Sequence, residues 1–354
     1  MKKILALLMV VLVLTSCTAT PTPDPNQGAE EYSVKDYFPF LENTHLVYQG
    51  IGNEYAEKEV FFEFIQDQYY QMKVSNPGTT LAQVYEVTDT ELRLIASYEE
   101  IYFSHNFINE VVEKKQQDNN NHEEVLLMKP FQEGTKWSLS DGREREITGV
   151  NITIETPHKS YEAIEVTTTN DEGSKSINYF AVGVGLVKTV FDSGEFEIVT
   201  TLEEVVTNTP LEQHVRIYYP DFLKEKIVYT EEQIQLQSND QIERKLEEFL
   251  KEPPADEINV VMGENAVINE IIFNREEWMV SVDFNRAFIT EMVAGAFLES
   301  QILTSVGNTF GDYFNVEKVV ITIDGLPYES GHILIEEGEF ITPRLDEAVP
   351  YNQE

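Results

Sequence analysis

Ile268-Asn269-Glu270-Ile271-Ile272-Phe273-Asn274-Arg275-Glu276-Glu277-Trp278-Met279-Val280-Ser281-Val282-Asp283-Phe284 holds two apolar runs on either side of a charged turn. That pattern predicts a β-hairpin. Trp278, Val280, Val282 and Phe284 recur at period two and are expected to share its buried face. Upstream, His214-Val215-Arg216-Ile217-Tyr218-Tyr219-Pro220-Asp221 reads as a strand ended by proline, and Ile227-Val228-Tyr229 and Ile234-Gln235-Leu236 as short strands. In Ser238-Asn239-Asp240-Gln241 a capping Ser stands three residues before Gln, a helix-start signature. Ile242, Leu246, Phe249 and Leu250 then mark one face of a helix, which Pro253-Pro254 stops. Downstream, Ile302, Val306, Phe310 and Tyr313 give a second helical stripe, and Val319, Ile321 and Ile323 a last strand closed by Asp324-Gly325. The order predicts an α+β unit over 211–338 with its helices on one sheet face. Residues 339–354 read as a C-terminal tail.

Residues 36–207 carry a different pattern, strand after strand. Phe62 with Phe64, Leu92 with Leu94 and Ala96, Ile152 with Ile154, and Ile164 with Val166 sit at period two. Asn76-Pro77-Gly78, Asp141-Gly142, Asp171-Glu172-Gly173 and Ser193-Gly194 supply the turns. The expectation is an all-β domain of antiparallel strands, either a sandwich or a curled half-barrel. Trp137 and the Tyr and Phe residues are assigned to packing, with a carbohydrate platform as the competing reading. The polar stretch Asp118 to Glu124 lacks the oxygen-ligand spacing of a calcium loop and is assigned to a hairpin tip. Asn208-Thr209-Pro210 breaks the pattern and marks the boundary.

At the amino terminus Lys2 and Lys3 precede a nearly unbroken apolar run, Ile4 to Leu14, followed by Thr15-Ser16-Cys17. This is the order of a secretory signal, and at about 11 residues the run is shorter than the ~20 needed to span a bilayer. Leu14-Thr15-Ser16-Cys17 resembles the lipobox of bacterial lipoproteins. The resemblance implies a signal peptide over 1–16 and a lipid on Cys17, the only cysteine in the chain. Residues 17–35 read as a lipidated Cys and Pro-rich tether, in which Thr18 to Tyr32, with Pro21, Pro23 and Pro25, extends about 45 Å at ~3.1 Å per residue.

The chain has 25 Lys and Arg against 63 Asp and Glu, a formal net charge of −38. So acidic a surface repels phosphate backbones, and nucleic acid is not an expected partner. Apolar residues make up 42% of the chain, enough for packed cores. No chemistry-bearing motif stands out. His45, His105, His122, His158, His214 and His332 have no metal-ligand spacing, and no nucleophile elbow or phosphate loop is present. Asp283 faces away from Val282 and Phe284 and is assigned to capping. Asn308 and Thr309, polar interruptions in the second helix, are expected to meet the Asp283 region. No catalytic residue, metal site or cofactor is assigned, and partner-binding residues are not identified.

Ile217-Tyr218-Tyr219-Pro220-Asp221, the helix ending near Pro253, Val280-Ser281-Val282-Asp283-Phe284, Gln301-Ile302-Leu303…Asn308-Thr309-Phe310 and Val319…Ile323-Asp324-Gly325 together resemble the GerMN domain family of sporulation and spore-germination proteins. The resemblance covers roughly 214–335. It implies a non-enzymatic interaction or scaffold module of the bacterial envelope, binding an envelope protein partner or itself. Lys129-Pro130-Phe131…Trp137 and Tyr179-Phe180-Ala181…Lys188 resemble an extracytoplasmic β-domain of Gram-positive lipoproteins, which implies location only. The expected place is the extracytoplasmic side of the cell membrane, held by lipid on Cys17. The alternatives are a small-molecule or lipid-binding protein using the first domain, or an enzyme modifying cell-wall polymers. Metabolic labelling with a fatty acid tests the anchor: the natural chain takes up label, and Cys17→Ala neither labels nor loses its leader.

Overall fold

The computed structural model describes residues 31–117, 123–170 and 173–351. The leader, Cys17, Pro21, Pro23, Pro25 and most of the polar Asp118–Glu124 stretch lie outside the described residues. Strands β1 (Thr44–Ile51), β2 (Lys58–Gln66), β3 (Tyr69–Ser75), β4 (Thr80–Val87), β5 (Glu91–Tyr98) and β6 (Glu124–Met128) form one antiparallel meander. A second runs through β7 (Lys136–Ser138), β8 (Glu144–Glu155), β9 (Ser160–Thr169), β10 (Lys175–Ala181), β11 (Gly185–Asp192) and β12 (Glu197–Thr207). Pairing of β1 with β12 joins them into one 12-stranded sheet. Its two ends come together through side chains: Trp137 Nε1 donates to the Val125 carbonyl at 2.9 Å, and Arg145 bonds the same carbonyl and Glu124. The sheet is therefore curled, and among the described residues of the first unit no second sheet faces it.

Large side chains fill the concave side, among them Tyr48, Phe62, Tyr85, Phe131 and Phe180. Helix α1 (Val34–Tyr37) adds Val34, Tyr37 and Phe38 to the same core, its start fixed by a reciprocal Ser33–Asp36 capping box. Two local features depart from the period-two reading. A bulge between Phe62 and Phe64 sends Phe62 into the concave core and Phe64 to the convex side. An extra residue in one strand reverses the side-chain alternation. Helix α2 (Ile108–Gln117) interrupts the strands altogether. Its buried positions Ile108 and Val111, with Phe107 ahead of it, lie three and four residues apart, a helical spacing within a stretch read only for strands.

The second unit begins with a long hairpin, β13 (Leu211–Asp221) and β14 (Lys226–Leu236), paired along its whole length. Helix α3 (Ile242–Lys251) follows, then β15 (Ile268–Asn274) and β16 (Met279–Phe284), α4 (Ala287–Thr290), α5 (Ala296–Phe314), β17 (Lys318–Ile323) and β18 (Leu326–Pro327). Val280, Val282 and Phe284 are fully buried as expected, but Trp278 sits half-buried in the turn with φ +50°. The helices do not lie on one face of one sheet. β13 and β14 form a sheet of their own, completed by β19 (Val349–Pro350), and β15 to β18 form another. Helix α5 packs against β13 and β14 on one side and β16 and β17 on the other. The reason is that α5 is buried nearly all round, Val306, Phe310 and Phe314 as well as Ser305, Asn308 and Thr309. A helix without a solvated face needs cover on both sides.

Ser238 does not cap α3, whose first residue follows Gln241 with no side-chain cap. Its hydroxyl donates to the Phe62 carbonyl at 2.6 Å and accepts from Asn43 N at 2.8 Å, stitching the second unit to the first. Asn239 adds its own pair, donating N–H to the Glu63 carbonyl and accepting from Ile65 N. The convex side of the first sheet and the second unit share one continuous core. Phe103 packs against Phe273 and Phe314 at 4.8 Å between ring centroids in both cases, and Tyr313 OH accepts from Ser104 N at 2.9 Å. Removing a buried Phe ring typically costs about 3–5 kcal/mol. Phe103→Ala is therefore expected to lower the unfolding free energy by about that amount in chemical denaturation, although Phe103 lies outside the second unit's own chain segment.

Candidate functional site

Asp283, Asn308 and Thr309 each have hydrogen-bond partners. Asp283 Oδ1 accepts from Thr322 Oγ1 at 2.6 Å and Gly325 N at 2.8 Å, and Oδ2 accepts from Asn269 Nδ2 at 2.8 Å. Partial burial raises its carboxyl, but these donors outweigh it and hold the pKa below the ordinary value. Asp283 thus ties β15, β17 and the β17–β18 turn together. Asn308 and Thr309 do not meet it. Thr309 Oγ1 accepts from Tyr218 N at 3.1 Å, and Asn308 bonds the Arg344 backbone through both its amide atoms. α5 turns these two side chains toward β13 and the C-terminal segment, because the apolar stripe between them faces β16 and β17. Among the described residues no group of three or more His, Cys, Asp or Glu side chains is placed to hold a metal ion. No helix among them is long and apolar enough to cross a membrane.

The junction of the two units carries a groove of about 560 Å³ lined by Lys73, Tyr102, Phe103, Leu211, Arg216 and Asp312, continuing into one of about 380 Å³ at His45, Glu59 and Pro210. Its cations are already engaged. Buried Lys73 donates to the carbonyls of Ile101 and Phe103 and lies 3.4 Å from Glu63, and Arg216 pairs with Glu231. His45 bonds Glu59 through Nδ1 and faces the Pro210 carbonyl through Nε2 at 3.2 Å.

The opposite end of the second unit exposes apolar side chains beside the charged Lys224, Glu225 and Lys226. The hairpin β13–β14 runs from Leu211 in the groove to its tip at Phe222 and Leu223, about 33 Å at ~3.3 Å per residue. Leu223 is 80% exposed, and Phe222 rests on Phe297 at the start of α5 with ring centroids 5.9 Å apart. Asn259 bonds both Pro220 and Phe222, bringing exposed Val260 to the same tip. Val293, 96% exposed, lies in the connection leading into α5. Adjoining apolar residues exposed at one end of an acidic molecule mark an interaction surface. Sequence reasoning passed over them, although Phe222-Leu223 between two strands and Val293-Ala294-Gly295 ahead of a helix put apolar residues where polar turn residues belong.

Residues 216–329 match the family model described as "Germane: Sporulation and spore germination". Two solved structures from Bacillus subtilis are similar. One holds the tandem GerMN domains of the sporulation protein GerM, 15% identical, covering 38% of this chain and 46% of that one at a TM-score of 0.29. The other is the first GerMN domain of the same protein, 17% identical, covering 38% of this chain and 96% of that one at a TM-score of 0.27. The chain thus spans less than half the length of the tandem structure. No curated protein matches it.

Two histidines set opposite pH limbs for the junction. Burial draws the His45 pKa down, but the Glu59 hydrogen bond and charge with the backbone carbonyls leave it raised above 6.5. The hydrogen bond from His45 holds the Glu59 carboxyl below 4.5. The pair's contribution is complete between those two values, declines as pH rises through the folded His45 pKa, and declines again in acid. His105, enclosed by Phe107, Phe273 and Phe314, is lowered by burial to about 4, so between 6.5 and 4 the unfolded chain takes up its proton first. Denaturation across pH is expected to show His45→Gln removing part of the alkaline decline, and His105→Leu removing about one proton from the acid slope.

Proposed function

We propose that this protein is an envelope lipoprotein, lipid-anchored at Cys17 on the extracytoplasmic side, whose second unit acts by docking a protein partner through its apolar end. The observation that carries the reading is the exposed set Phe222, Leu223, Val260, Val293 and Phe297 on a chain of net charge −38. The family match over 216–329 supports a setting in sporulation or spore germination. The leader and the lipobox resemblance support the anchor.

The mechanism is presentation. Lipid fixes the chain to the leaflet, the Pro-rich stretch sets the height, and the shared core holds the apolar end about 33 Å from the groove. A partner covering that end and the ring around it would bury a standard ~800 Å² per side. The small-molecule alternative needs a hollow first unit, and its concave side is filled by Tyr48, Phe62, Tyr85, Phe131, Phe180 and the α1 residues.

A photo-crosslinking amino acid at position 223 in living cells tests the reading. An adduct with one envelope protein is expected, and it should fall at least about tenfold with Phe297→Asp, the loss of one buried aromatic anchor. Thermal melting should be unchanged in that variant. Absence of an adduct from position 223, or an adduct indifferent to Phe297→Asp, contradicts it.

A further inference from the structure

The segment after β18, read from sequence as a tail, is seated in a built cradle on α5. Gly307 and Gly311 stand one turn apart on the helix, and each makes room for one side chain of that segment. A Cβ at Gly307 would lie 2.5 Å from Ile341 Cγ2, and one at Gly311 would overlap Pro343. Between them Asn308, fully buried, accepts from Arg344 N at 2.7 Å and donates to the Arg344 carbonyl at 3.3 Å. Ile341 exchanges two backbone hydrogen bonds with Val319 of β17 at 2.7 and 3.0 Å. β19 pairs in parallel with the edge of β14, and Tyr351 N donates to the Tyr229 carbonyl at 2.8 Å. The cradle therefore recognises an extended peptide in two ways, by main-chain pairing and by two pockets for an Ile-x-Pro sequence.

The seated segment itself is shallowly held. Ile341 and Pro343 are half-buried, and Phe340, Leu345 and Val349 remain exposed. It is turned back onto α5 by Glu336-Glu337-Gly338-Glu339, a tight turn closed by Glu339 N donating to the Glu336 carbonyl, with Gly338 at φ +87°. Glu339 also caps the turn, its Oε2 accepting from Glu336 N at 2.8 Å, and all four residues are solvent-exposed. Glycine lets the backbone take other conformations at low steric cost. Opening the turn into an extended connector costs its two exposed Glu336–Glu339 hydrogen bonds and carries residues 340–351 away from their own α5, with every contact of the cradle intact for the same segment of another molecule.

We propose that the α5 cradle is an exchange interface, in which residues 340–351 of a second copy occupy the Gly307–Asn308–Gly311 ledge and the β14 edge to give a reciprocal dimer. The proposal uses no residue of the apolar end and stands apart from docking there. Exchange of an identical element is a low-cost route to a closed two-fold dimer. The short connector favours the segment's own cradle by an effective concentration of about millimolar, so crowding of copies shifts the balance toward the dimer, and screening salt weakens the repulsion between two chains of net charge −38.

Complementation of two full-length variants tests the exchange without that internal competition. Gly307→Leu blocks the ledge and frees the segment, and the double change Ile341→Asp with Pro343→Asp spoils the segment and leaves the ledge open. In detergent, differently tagged copies of the two variants are expected to co-purify one to one, while neither variant co-purifies with itself. Failure of the mixed pair to associate, with both variants melting cooperatively, overturns the proposal. If Gly307→Leu does not fold, a fluorescent peptide of residues 336–351 is titrated onto the double variant. Saturable binding weakened about tenfold by Asn308→Ala, the loss of two hydrogen bonds, supports the exchange, and no binding refutes it.

Discussion

From Gln301 to Phe314 helix α5 has almost no face for water, and the architecture of the second unit answers that constraint. Its apolar stripe meets β16 and β17, its polar positions meet β13 through Thr309 and Asp312, and its glycines meet the returning C-terminal segment. Three polar groups that burial would otherwise strand carry a named role: Thr309 accepts the Tyr218 N–H, Asp312 accepts the Tyr218 hydroxyl, and Asn308 holds the Arg344 backbone. Buried polar groups are costly unless bonded. These contacts specify one arrangement of two sheets about one helix. Ser305 Oγ and Gln301 Oε1 on the same helix have no such partner, and no physical account of them emerges from the contacts around them.

The same reasoning explains why the two units are not beads on a string. Phe64, Ala82, Val84, Phe103 and Phe107 of the first unit belong to the core that Phe273, Phe310 and Phe314 anchor in the second. The bulge at Glu63 and helix α2 exist on the convex side of a sheet that would otherwise be solvated, and both deliver apolar side chains to this junction. Ser238, Asn239 and Asn43 then satisfy the backbone where the units touch. The groove beside that contact is the rim of a shared core.

Much of this was legible in the sequence where one residue's neighbours in the chain decide its environment. The alternation Val280, Val282, Phe284 and the stripe Ile302, Val306, Phe310 placed strand and helix correctly, and the turn glycines placed the hairpins of the first sheet. What failed depended on partners far away in the chain. Ser238 looks like a helix cap locally and is claimed instead by Phe62 and Asn43, nearly two hundred residues away. Phe62 and Phe64 share a period but not a face, because a bulge in pairing with β3 separates them. Asn308 reads as an interruption until the segment at 341–344 comes back to use it. The apolar end was readable in principle, since Phe222-Leu223 sits in a turn, but aromatic and aliphatic residues are so common in this chain that position and not type carries the signal.

The account stands on the two units being one body, held by the Phe103–Phe273–Phe314 contact, so that groove and exposed apolar end keep a fixed separation. Scanning calorimetry of the full chain tests this most directly. One transition, with calorimetric and van't Hoff enthalpies equal, is the predicted result for a shared core. Two separable transitions, each insensitive to Phe103→Ala in the other, would contradict it.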